Sequence, residues 1–197
     1  FSYDPESLFF VNNLLTYRKS FGDFTFMAVG QFNGSSGDNY EDLINAGISY
    51  DSNNLHLALT YTEQDALNDN RVIGSDDIFG ASLAYEFDFG LYLAFGYQDK
   101  TYQRRSDTDR DGHTFDVSLA YPLSDQYKLK MGLFDFSDGI ESDYSKDFEG
   151  FNVTLEWLPA KNLRFHLEYL DRDFSKQADF SSISVGFRYD YSQTWKF

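Results

Sequence analysis

Polar side chains at every second position of otherwise apolar segments are the residues of this chain best placed for chemistry. The residues that form such a face are Lys128, Lys130, Arg164, His166, Glu168 and Arg188. Because a strand sends successive side chains to opposite sides, each set shares one face of an extended chain. This face can line the path of a charged solute. The plainer interpretation is a solvated wall whose charges only keep the surface wet.

Residues for nucleophilic catalysis do not form a recognisable set. His56, His113 and His166 are scattered along the chain, and no Gly-x-Ser-x-Gly stretch occurs. A hydrolase needs a nucleophile, a base and a group that orients the base. The sequence therefore predicts that the protein is not an enzyme, although a barrel enzyme remains the alternative from a different class.

One acidic segment, residues 107–112 (DTDRDG), matches the first half of a calcium-binding loop. In that motif a Glu at the twelfth position completes the oxygen ligands, but here this position is Ser118. The chain also has no Cys and so no thiolate ligands. We expect a solvated loop tip at this segment, and we predict neither a metal site nor a cofactor.

The element that must position the polar face is best seen in the hairpin 83–100 (LAYEFDFGLYLAFGYQDK). Leu83, Tyr85 and Phe87 alternate with small or charged residues, and the alternation resumes after Gly90. The apolar strips are about ten residues long, which suits a tilted strand crossing a bilayer. Aromatic residues stand at the ends of the strips, where headgroups would lie.

The same pattern repeats about eleven times, with short turns and long loops in alternation, as is typical of a transmembrane barrel. The long loops are expected at 33–42, 64–77, 101–113, 137–147 and 173–179. A protein core would not tolerate so many charges, so we expect the apolar face toward lipid and the polar face toward a wet lumen. Fifteen Tyr and 21 Phe are then assigned mainly to the lipid face, with Tyr92 as the exception.

Composition narrows the class of protein. The net charge of −16 over 197 residues disfavours nucleic acid as a partner, since no basic patch is available. No run of eighteen apolar residues exists, so no transmembrane helix is predicted. The first residue is Phe1, which suggests a mature, processed or partial chain. An open sheet cannot exist in lipid, so we expect absent residues or a second chain to complete the barrel.

Four stretches carry a specific resemblance: residues 9–18 (FFVNNLLTYR), 50–64 (YDSNNLHLALTYTEQ), 83–97 (LAYEFDFGLYLAFGY) and 185–191 (VGFRYDY). With these, the chain resembles the C-terminal two-thirds of a Gram-negative general diffusion porin. The resemblance implies an antiparallel transmembrane β-barrel with about eleven strands visible of a probable sixteen. It also implies an outer-membrane location and a homotrimer, with the lipid bilayer and lipopolysaccharide as partners.

The resemblance further implies that residues 1–10 form the end of the inward-folded constriction loop, with Asp4 and Glu6 on it. Arg18 would point into the lumen lower in the pore. The family usually has a wall arginine early in the next strand, where this chain has Asn12 or Asn13. The family's last strand ends in an aromatic residue, which Phe197 fits. A strand that ends at Tyr191 also fits the pattern, and Ser192 to Lys196 would then be an extension.

Passive diffusion of ions and small hydrophilic solutes is the function that the resemblance implies. A sugar-selective channel and a purely structural or adhesive barrel are alternatives. The overall acidity suggests a preference for cations, but the charge of external loops and that of a lumen need not agree.

Overall fold

A computed structural model describes residues 13–32, 41–68, 71–104 and 109–191 of the chain. Eleven strands form one antiparallel sheet, in which each strand pairs with its neighbours in sequence. The strands are β1 (Leu14–Phe21), β2 (Phe24–Phe32), β3 (Glu41–Ser52), β4 (Leu55–Asn68), β5 (Arg71–Glu86), β6 (Tyr92–Arg104), β7 (Arg110–Pro122), β8 (Tyr127–Ser137), β9 (Phe148–Ala160), β10 (Leu163–Phe174) and β11 (Phe180–Tyr189). The prediction of eleven antiparallel strands is confirmed. None of the described segments forms a helix with the length and apolar character needed to cross a membrane.

The odd-to-even connections are short turns, and all of them lie at one end of the sheet, which we call the turn side. At 22–23 the chain reverses through Gly22 with φ +59°, and Phe21 pairs directly with Phe24. At 53–54 it reverses through Asn53 with φ 48°, and Ser52 pairs with Leu55. Gly and Asn are the residues that tolerate positive φ, so these two turns set the register of their hairpins. The opposite end, with the other connections, is the loop side.

Two of the predicted long loops are shorter than expected. The segment 64–77 was expected to be a loop, but β4 continues to Asn68 and β5 begins at Arg71. The segment 101–113 was likewise expected to be a loop, but β6 continues to Arg104 and β7 begins at Arg110. Hydrophobic alternation stops in these segments while the backbone ladder continues. Backbone pairing does not require apolar side chains, so a strand can extend beyond the apolar band.

The two faces of the sheet differ in composition as predicted. Cross-strand rows on one face are apolar, for example Leu57, Leu83, Phe95 and Val117. These side chains are not packed in a protein core: Phe95 is 39% exposed, and Val185 on β11 is 79% exposed. The other face holds the small and polar residues and two open recesses. We therefore call the apolar face the outer face and the polar, recessed face the inner one.

Aromatic rings line the edge of the outer face on the turn side. Phe24 stacks on Tyr50 with ring centroids 4.8 Å apart, and Trp157 stacks on Phe165 at 5.4 Å. On the loop side, Phe151 contacts Tyr169 at 5.8 Å. Aromatic rings at both edges of an apolar band are typical of strands that cross a bilayer between two headgroup layers.

Candidate channel wall

The structure places all seven described candidates for a pore-lining role on the inner face: Arg18, Lys128, Lys130, Arg164, His166, Glu168 and Arg188. The placement follows from the strand period of two, together with the register of the pairs. Asp4 and Glu6, assigned to the constriction loop, lie outside the described residues.

Near the turn side, four of the cations form a network with two carboxylates. Lys130 Nζ donates to Glu156 Oε2 at 2.7 Å, and Arg164 Nη1 lies 3.9 Å from the same oxygen. Arg164 Nη2 lies 4.0 Å from Asp190 Oδ2, and Arg188 Nε donates to Asp190 Oδ1 at 2.7 Å. Lys128 pairs across the strands with Glu156. The sequence placed Glu156 on the polar face but did not mark it as a site residue, although the cations on both neighbouring strands are organised around it.

Glu168 lies next to this network without joining it. Its Oε2 accepts a hydrogen bond from Thr154 Oγ1 at 2.9 Å. Thr154 separates Glu168 from Lys130 in one cross-strand row. The predicted residues of β8 and β10 are thus brought together, with Glu156 and Thr154 of β9 between them.

Arg18 lies apart from this network, on the edge strand β1 of the same inner face. It interacts electrostatically with Asp51, which sits at the turn-side end of β3. His56 Nδ1 lies 2.5 Å from Asp51 Oδ1. The inner face therefore carries a second, smaller charged group on β1, β3 and β4.

Two open recesses indent the inner face between the charged groups and the loop side. The larger one has a volume of about 550 Å³, and polar side chains such as Tyr92, Lys130, Asn152 and Glu168 contribute to its lining. The second has a volume of about 320 Å³ and is lined mainly by small residues, among them Gly80 and Gly96. Small side chains on this face leave space for water and solute.

The loop-side half of the inner face is more aromatic than the sequence predicted. Tyr92 was expected to be the one inward-facing aromatic residue, and this is wrong. The inner face of β6 to β10 also carries Tyr102, Phe134, Phe136, Phe148 and Phe174. Counting by two from Lys130 would have placed Phe134 and Phe136 on this face, but the irregular end of their segment hid the period.

Cations lie on this aromatic layer. Lys100 Nζ is 5.6 Å from the ring centroid of Phe136, and the Arg172 guanidinium is 5.3 Å from that of Phe148. The Arg110 guanidinium lies 4.0 Å above Tyr102. Lys100 and Phe136 are only 1% and 2% exposed. This part of the wall is therefore closely packed rather than open.

The loop 138–147 covers the loop-side ends of β8 and β9. The buried carboxylate of Asp138 accepts hydrogen bonds from the backbone N–H groups of Ile140 at 2.9 Å and Lys146 at 3.0 Å. In return, the backbone N–H of Asp138 donates to Asp147 Oδ1 at 2.8 Å, and Arg110 donates to the Asp138 carbonyl. Side-chain acceptors for backbone donors give this loop a defined conformation.

Acidic segments do not combine into a metal site within the described ranges. No group of three or more His, Cys, Asp or Glu residues there is arranged to hold a metal ion. Of the calcium-loop candidate 107–112, residues 107 and 108 lie outside the described part, and Arg110, Asp111 and Gly112 belong to β7.

A sheet with an apolar band on its outer face and a charged, recessed inner face is the wall of a transmembrane β-barrel. The chain belongs to the Gram-negative porin family, whose profile matches residues 10–197. This membership confirms the resemblance read from the four stretches, and with it the outer-membrane location.

Known relatives agree with this assignment. The outer membrane porin protein OmpD of Salmonella typhimurium is 38% identical over 60 residues, which cover 26% of this chain and 17% of OmpD. An anion-selective porin from Comamonas acidovorans has a similar fold, with a TM-score of 0.72 and 15% identity over 91% of this chain and 59% of that porin. OmpF of Salmonella typhi gives a TM-score of 0.69 and 16% identity over 89% of this chain and 61% of that chain. The chain thus spans about three fifths of these two porin structures.

Proposed function

We propose that the chain forms the C-terminal wall of an outer-membrane porin through which ions and small hydrophilic solutes diffuse passively. The observation that supports this function is the inner face, which carries all seven described candidate residues and two open recesses. A water-filled lumen lined with charges needs no chemical step, so the proposal includes no enzymatic activity, metal or cofactor.

The rest of the pore belongs to the same proposal. Sixteen strands would close the barrel, with the eleven described here as the sixth to the sixteenth. Residues 1–10 would end the constriction loop, with Asp4 and Glu6 facing the passage. The seven inner-face residues would border the solute path below it.

The proposed partners follow from the two faces and the free edges. The apolar outer band suits acyl chains, and the carboxylates at its loop-side edge would meet lipopolysaccharide headgroups through divalent cations. A homotrimer is the proposed assembly, and OmpT of Vibrio cholerae, a fold relative, is known in a trimer form. The missing strands would come from the same longer protein or from a second chain.

Single-channel recording on the full-length protein in planar bilayers tests the function. We expect a conductance that rises linearly with salt concentration and that added sugar does not block. A current that saturates and is blocked by sugar would instead favour a sugar-selective channel. A correctly folded protein with no conductance would favour a structural or adhesive barrel.

A further inference from the structure

Charged side chains of strands β6 to β11, all of them within the described residues, are sorted by sign between the two faces. The inner face carries eight cations, which are Lys100, Arg104, Arg110, Lys128, Lys130, Arg164, Arg172 and Arg188. Four carboxylates share that face, including Asp190 just beyond β11: Asp116, Glu156, Glu168 and Asp190. The inner face of this half therefore has an excess of four positive charges.

The outer face of the same six strands shows the opposite sign. It carries six carboxylates: Asp99, Asp111, Asp135, Glu149, Asp171 and Asp173. No Lys or Arg of β6 to β11 lies on that face. The net charge of −16 thus misrepresents the surface that a solute inside the barrel would meet.

The inner cations of these strands outnumber the carboxylates that share their face. Near the turn side, Lys128, Lys130, Arg164 and Arg188 share two carboxylates, Glu156 and Asp190. Nearer the loops, Lys100, Arg110 and Arg172 lie over aromatic rings. A ring attracts a cation through its quadrupole but does not cancel the charge. Arg104 pairs with Asp76 of β5 at 2.6 Å.

Carboxylates are more prominent on the inner face of strands β1 to β5. Asp51 on β3 and Asp76 and Glu86 on β5 lie on that face, against Arg18 on β1. The positive charge of the inner face is therefore concentrated along β6 to β11. In a narrow aqueous passage with low-dielectric walls, the electric field of such fixed charges is focused on the passing ion. The field of carboxylates on the outer face is screened by salt within about 8 Å at physiological ionic strength.

We infer that the β6–β11 wall is an anion path, with a binding site for small oxyanions such as phosphate and carboxylate at the turn-side cluster Lys128, Lys130, Arg164 and Arg188. This rests on the proposed function as a diffusion channel. Lys and Arg are the residues that bind phosphate and carboxylate oxygens, and the Arg guanidinium does so with a planar fork of donors. The wall would thus favour anions although the protein as a whole is strongly acidic.

Reversal potentials of the full-length porin in a KCl gradient test the inference. The Lys128→Gln/Lys130→Gln double variant should lower the chloride-to-potassium permeability ratio about twofold, because two inner positive charges are removed. It should also weaken the block of chloride current by added inorganic phosphate. The charge-preserving Lys128→Arg/Lys130→Arg variant should keep both properties.

The matched control removes charge from the other side of the same strands. Asp99→Asn/Asp135→Asn changes the net charge by two units in the opposite direction, on the outer face, and should leave the reversal potential unchanged. Shifts of equal size and opposite sign from the inner and outer variants, or no shift from the inner one, would overturn the inference. If the unmodified protein showed no conductance at all, the proposed function would be refuted, so the two failures are distinguishable.

Discussion

Glu156 is the residue on which the turn-side network of the inner face depends. Its side chain is 7% exposed, and one oxygen serves Lys130 at 2.7 Å and Arg164 at 3.9 Å. A carboxylate buried between two cations offsets their mutual repulsion. Its attraction to them in turn offsets the cost of its own desolvation. Both cations are more than a third exposed, so water screens part of what would be lost without it.

The Glu156→Gln variant should therefore be less stable by about 1–3 kcal/mol, since it leaves two neighbouring cations without their shared anion. Urea unfolding of the refolded porin in detergent, followed by tryptophan fluorescence, measures the change. Glu168→Gln is the matched control, because an amide oxygen can still accept the bond from Thr154. Equal losses of stability in the two variants would show that the shared anion has no special role.

Gly96 offers a direct test of which way the wall faces. A Cβ added there would approach nothing closer than Asp116, at 3.8 Å, so a side chain fits without strain. We expect Gly96→Leu to fold and to reduce single-channel conductance, because the side chain would enter the smaller recess. Val117→Leu, which enlarges an outer-face residue of the adjacent strand, should leave conductance unaltered. A reduced conductance in Val117→Leu alone would reverse the assignment of faces.

Which face a residue occupies could be predicted from the sequence, and which residue it pairs with could not. Alternation in steps of two placed Arg164, Glu168 and Arg188 correctly, because a strand has only two faces. The partners of Arg164 depend on register and on the irregular pairing between β9 and β10 near Leu163. Local pattern does not encode that irregularity. The aromatic layer around Phe136 was missed for a related reason, since the irregular end of the segment obscured its period of two.

At the level of elements, the loop 138–147 differs from an ordinary exposed connection. Asp138 is 1% exposed and supplies both carboxylate oxygens to the loop's own backbone, at Ile140 and Lys146. Gln177 of the next loop-side connection donates to the carbonyl of Ser145 at 3.2 Å. The loop is therefore stabilised by hydrogen bonds within itself and by a hydrogen bond to the neighbouring connection.

Asp138→Ala should release this loop while leaving the barrel wall intact. Losing two hydrogen bonds to buried backbone donors should cost about 2 kcal/mol, largely local to the loop. Hydrogen exchange measured by mass spectrometry should show faster exchange over 138–147 and little change in β8 or β9. Asp143→Ala, at an exposed position of the same loop, is the control. Unchanged protection in Asp138→Ala would mean that contacts with β7 and Gln177 suffice to hold the loop.

The elements themselves were largely predictable, and the larger errors lie on the loop side. Gly22 and Asn53 occupy the turns of two hairpins, and the chain reverses there as expected. At the turn after β9 the strand continues to Ala160, although the turn was expected from residue 158. On the loop side the strands pass beyond the apolar band, where hydrophobic alternation ends. The extra pairs of β4 with β5 are instead supported by the backbone ladder and by polar contacts such as Gln64 to Asp76 at 3.5 Å. A hydrophobic pattern cannot detect such pairs.

At the level of the whole molecule, the described sheet has two free edges. β1 pairs only with β2, and β11 only with β10, among the described strands. Unpaired backbone groups cost several kcal/mol each in lipid, so an eleven-stranded open sheet cannot remain in a bilayer by itself. Closure must come from further strands, and their hydrogen bonds must run along β1 and β11.

We therefore expect the 197-residue chain, refolded alone into liposomes, to give no monomeric channel and to aggregate through its edges. Co-refolding with the N-terminal strands that we propose for the complete barrel should restore a heat-resistant, conducting barrel, because both edges then find partners. Conductance together with intact mass measured on the reconstituted species distinguishes the possibilities. A conducting species composed only of this chain, at 22.8 kDa or a multiple of it, would contradict closure by other strands. In that case each copy of the chain would contribute its positive β6–β11 inner face to the lumen. The chloride-to-potassium permeability ratio would then be raised.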